Sequence, residues 1–94
     1  MINSTYVDIG SSIGKLVQEK QEAYGDSFGK AHKVLLELYP NGIAINQMSD
    51  ALTITRIIDK LFRIATKKDA FGESPYRDIV GYALLAIKRD EIRC

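Results

Sequence analysis

Apolar residues recur at three- and four-residue steps along most of this chain, and glycine, proline and N-cap residues divide the pattern into four stretches. A period near 3.6 cannot be half-buried in a sheet, where side chains alternate, so the pattern commits the chain to helices. Ser11 and Ser12 precede Ile13, Leu16, Val17 and Tyr24, and Gly25 offers a left-handed stop. This predicts a first helix over 12–24, after an extended lead over 1–10. Asp26 or Ser27 caps a second helix over 27–39, built on Phe28, Ala31, Leu35 and Leu38 and ended by Pro40, Asn41 and Gly42. Met48, Ala51, Leu52, Ile58, Leu61, Phe62 and Ala65 give a third helix over 46–68. KKDAFGES is a loop. Ser74 before Pro75 starts a fourth helix over 75–90, with proline at its first position. No window reads as a strand, and no linker or repeat divides residues 1–94. The expected fold is all-α, a compact four-helix single domain.

The fourth stretch is apolar nearly all round between Ile79 and Ile87, which predicts that neighbours enclose it. Gly81 in its interior predicts a close backbone approach. Four helices drawn from 94 residues make a thin core, so burial is expected to be completed in a homo-oligomer.

Composition narrows the function classes. Hydrophobic residues are 46% and charged residues 27%, which excludes a disordered or low-complexity chain. The longest apolar run, Tyr82 to Ile87, is far short of the ~20 residues that cross a bilayer, and no basic-then-apolar leader is visible. No membrane partner and a cytoplasmic location are expected. Thirteen basic residues against twelve acidic ones leave a net charge of +1, too balanced for general nucleic-acid binding. The one cysteine, Cys94, allows neither an intrachain disulfide nor a cysteine-based zinc site. GxSxG, GxxxxGK[ST] and HExxH are absent, and His32 stands alone between Phe28 and Tyr39, which suits a hydrogen-bonded core or interface residue.

Three groups of polar residues remain as candidates. On the third helix Arg56, Asp59, Lys60, Arg63 and Lys67 share one arc; it reads either as a salt-bridged surface, Asp59 pairing with Arg63, or as a phosphate-receiving stripe with Arg63 at its centre. Asp78, one turn into the fourth helix, either favours the helix dipole or pairs inward with Arg56, Lys60 or Arg63. The turn YGDSFG reads as a tight interhelical turn or as an anion site on free backbone N–H groups. On the first helix Glu19 and Glu22 have the spacing of a magnesium-binding pair, and also that of a solvated face.

The ordered set KQEAYGDSF, RIIDKLFRIA and ESPYRDIVGYALLA resembles the bacteriophage nucleotide-modification-associated domain 1 family and its close phage relatives, all-helical and small. The likeness covers about residues 15–88, and its last motif is the most specific. It implies a phage protein, in a host cytoplasm, with a link to nucleotides. Motif by motif it marks Tyr24, Gly25, Asp26 and Phe28 in the turn, Lys60 and Arg63 on the basic helix, and Glu73, Asp78, Gly81 and Tyr82 in the last segment. The chain departs from the pattern between Glu73 and Asp78, where a further acid common in the family is missing.

Two function classes follow. In the first, a binding module holds a small nucleotide without cofactor or catalysis, as a sponge for a host immune signal. Tyr24, Phe28 or Tyr82 would stack on the base, while Arg56, Lys60 and Arg63 take phosphate beside the Gly25–Asp26 turn and Asp78. In the second, the chain resembles all-α nucleoside-triphosphate pyrophosphohydrolases, and Glu19, Glu22, Asp59 and Asp78 would hold magnesium. A third reading, contact with another protein only, leaves the basic stripe as surface.

Overall fold

The computed structural model describes residues 3–69 and 72–93, and every long element in them is a helix. These are α1 (Tyr6–Tyr24), α2 (Ser27–Leu38), α3 (Met48–Lys67, entered through a 3-10 turn at Ile45–Gln47) and α4 (Pro75–Arg93). Cys94 and part of the KKDAFGES loop lie outside the described residues. Helix α3 is the axis: α1, α2 and α4 each pack on it and meet one another only sparsely. The result is a four-helix all-α domain, elongated at 51 × 28 × 27 Å.

The N-terminal boundary differs from the sequence expectation. Helix α1 starts at Tyr6, so residues 6–10 are not an extended lead, and Ser11 and Ser12 lie inside the helix. The cause is a capping box: Thr5 Oγ1 accepts from the Asp8 amide at 3.1 Å, and Asp8 Oδ2 accepts from the Thr5 amide at 3.1 Å. This satisfies two orphan N–H groups and outweighs the caps one turn later. At the other end α4 runs three residues past Asp90, to Arg93. Its Arg89 donates to Asp50 and to Thr53 Oγ1, at 2.5 and 3.4 Å, and this holds the end of α4 against the start of α3.

The turn between α1 and α2 behaves as its glycine predicts. Gly25 has φ +64°, and a Cβ there would run into Thr66 Oγ1 of α3. Asp26 follows in the same left-handed region, φ +58°, and caps α2 by accepting from the Gly29 amide at 3.2 Å. Asp and Asn tolerate this region better than other non-glycine residues. The backbone thus reverses within two residues and lays α2 beside α3.

The core is as thin as the chain length implies: Ala23, Ala51 and Ile58 are its buried apolar residues, joined by Pro75, Ser27 and Arg63. The expectation that α4 is enclosed does not hold within one chain. It covers α3 with one face and leaves Tyr76, Val80, Leu84 and Ile87 more than half exposed on another. Nothing approaches Gly81 within 4 Å of a Cβ position, so no close contact explains it here. His32 is also exposed, on the rim of a shallow apolar groove with Leu35, Leu36, Tyr39 and Ile43, and is not a core residue.

Candidate functional site

Helix α3 distributes its charges to different neighbours. Arg63 has no solvent-exposed surface; its guanidinium donates to the Glu73 carbonyl and lies 3.6 Å from the Glu73 carboxylate and 3.9 Å from that of Asp78. Lys60, one turn before, pairs with Asp78 at 3.3 Å. Asp59 is not Arg63's partner: it accepts from the Ser27 hydroxyl, so that Ser27 is buried at the start of α2. The exposed stripe expected from the helical arc is therefore split, with Arg63 turned inward as a clamp on the loop before α4. A group so enclosed is sequestered from a phosphate in solution. Asp78 takes the inward pairing, with Lys60 and Arg63 and not Arg56. Arg56 instead lies over the Tyr82 ring, 5.6 Å from its centroid.

The glycine turn is also not an open anion cradle. The Gly25 and Asp26 amides both point back to the Gln21 carbonyl, and the Asp26 carboxylate occupies the start of α2, receiving Gln21 Nε2 as well as the Gly29 amide. An anion arriving there would meet a carboxylate already in place.

What the turn builds is a pocket beside it. Val17, Lys20, Gln21 and Tyr24 from α1, Ser27 and Phe28 from α2, and Asp59 and Lys60 from α3 line a cavity of about 320 Å³. Tyr24, Phe28 and Lys60 of the sequence-selected set thus meet, while Gly25 and Asp26 shape the reversal behind them. Phe28 is 96% exposed, so its ring stands at the mouth and packs against nothing in the chain's interior. The lining sets aromatic faces beside the ammonium groups of Lys20 and Lys60, with Asp59 engaged by Ser27 and Lys60 by Asp78. Such a pocket accepts a flat ring between its walls and negative charge at its edge. Arg56, Tyr82 and Arg63 do not line it.

Lys20 and Gln21 escaped the sequence reading. The signal was present, because Lys20 and Gln21 lie four and three residues before Tyr24 and share its side of the helix. The four acids of the magnesium reading are dispersed: Glu19 and Glu22 are exposed on α1, Asp59 faces Ser27, and Asp78 faces Lys60. Among the described residues no three His, Cys, Asp or Glu side chains are grouped to hold a metal ion, and no helix is long and apolar enough to cross a membrane. No protein-family model, curated protein or solved structure matches this chain.

Proposed function

We propose that this protein binds a small nucleotide in the pocket between α1, α2 and α3 and holds it without cleaving it. The observation that carries the reading is the meeting of Tyr24 and Phe28 with Lys20 and Lys60 around one cavity. The Phe28 ring stacks on the base, and the Lys20 ammonium takes the phosphate charge at the rim, with Lys60, paired to Asp78, adding positive charge behind it. A cavity of about 320 Å³ suits a nucleotide that is only partly engulfed. Holding a nucleotide without turnover removes it from solution, and the resemblance of the YGDSF and GYALLA segments to phage proteins makes a host nucleotide signal the fitting target, in a host cytoplasm. The protein acts as a homo-oligomer, which the exposed apolar surface of α1 and α4 supports.

Calorimetric titration with a nucleoside triphosphate and with a cyclic dinucleotide, each with and without magnesium, tests the reading. One of them should bind saturably and be recovered intact. Phe28→Ala should weaken binding by about 5- to 150-fold, the ~1–3 kcal/mol worth of one stacked base. Helix content should not change, since Phe28 supports no core contact. Pyrophosphate release abolished by a chelator would overturn the non-cleaving reading, and unchanged affinity in Phe28→Ala would remove the pocket from it.

A further inference from the structure

Helix α1 is amphipathic along its whole length, yet only its C-terminal end has something beneath it. At 100° per residue Tyr6, Ile9, Ile13, Leu16 and Val17 form one stripe, continuous with Ala23, which is buried against the chain's own core. The stripe leaves the domain at about Val17. Tyr6 is 94% exposed, and the other four are each about half exposed. Gly10 and Gly14 flank the stripe with nothing within 4 Å of a Cβ position. Each costs a helix about 1 kcal/mol relative to alanine, and an unsupported helix of this length is marginal in water. The free half of α1 therefore needs a cover that its own chain does not supply among the described residues.

A matching surface exists on α4. Tyr76, Val80, Leu84 and Ile87 form a second outward stripe of the same length, about 16 Å, each more than half exposed. The flanks are complementary: Asp8 and Glu19 outnumber Lys15 along one border of the α1 stripe, while Arg77 and Lys88 border that of α4. Area favours the same pairing. Paired α1 stripes alone would bury on the order of 500 Å² per protomer, short of the ~800 Å² of a stable interface, whereas using both stripes reaches it.

We infer that α1 of one protomer lies along the outward stripe of α4 of a second copy, reciprocally across a two-fold axis. The bulky α4 side chains fill the notches at Gly10 and Gly14, and both free stripes are buried at once. This inference rests on the self-association reading, and of its α1 stripe Val17 also lines the nucleotide pocket.

Light scattering on the full chain, without ligand, at micromolar concentration tests it. The wild-type protein should have at least twice the 10.5 kDa chain mass. Ile13→Asp and Leu84→Asp each place a charge in every α1–α4 contact and should weaken association about 100-fold or more, giving the chain mass. A wild-type mass of 10.5 kDa would overturn self-association altogether. An oligomeric wild type from which either variant keeps the same mass would overturn the α1–α4 pairing and leave self-association standing.

Discussion

Arg63→Ala should destabilise the fold by about 2–4 kcal/mol, the sum of a lost buried charge-assisted hydrogen bond and a partly collapsed cavity. For a domain of this size that lowers Tm by roughly 10–25 °C. The guanidinium is fully enclosed and is what joins α3 to the backbone at Glu73 and to Asp78 at the start of α4. Its partners are partly exposed and can return to water, so the loss stays below that for breaking a fully buried pair. Arg63→Lys should recover only part of the loss, because one ammonium cannot serve the carbonyl and both carboxylates together. Thermal melts at one protein concentration measure this. A Tm within about 3 °C of wild type would show a guanidinium reached by water rather than enclosed.

Gly25→Ala has the second largest expected effect on stability, about 2–3 kcal/mol. Part of it, about 1–2 kcal/mol, is the cost of a Cβ in the left-handed region at φ +64°. The remainder is the collision of that Cβ with Thr66 Oγ1, which drives the threonine out of its rotamer. The two parts separate in a double-mutant cycle. In a Thr66→Ala background the same substitution should cost only the backbone part, because the hydroxyl is gone. Equal costs in both backgrounds would mean that the close approach of α1 to α3 at this turn is unimportant. Denaturant melts of the four proteins supply the numbers.

The helices were legible in the sequence because their signals are local. Gly25 and Ser74–Pro75 are one-residue or two-residue statements about backbone shape, and both boundaries stand where they predict. The start of α1 was readable too, in Thr5 and Asp8 three residues apart, but Ser11 and Ser12 offered an equally good cap and the choice between them depended on which bonds form. Arg63 was legible as a charge and not as a buried one. A helical wheel places it beside Asp59, and only the path of the Glu73 loop over α3 decides that it turns inward. Asp59 likewise found Ser27, thirty-two residues earlier, by a contact that no periodicity encodes. The pocket was half legible. Tyr24, Phe28 and Lys60 stood out by residue type, whereas Lys20 and Gln21 joined them only once the Gly25–Asp26 reversal had set α2 against α1 and α3. Enclosure of α4 was expected from an all-round apolar pattern, and in a single chain that pattern reports faces left open.

The most direct measurement of nucleotide binding is an amide shift map by NMR on the labelled full chain during titration with the nucleoside triphosphate or cyclic dinucleotide that binds. Binding in the three-helix pocket predicts that the saturable shifts concentrate on 17–28 and on Asp59 and Lys60, with Arg56 and Tyr82 little moved. Shifts centred instead on Arg56 and Tyr82, or no saturable shift with either nucleotide at millimolar concentration, would contradict it.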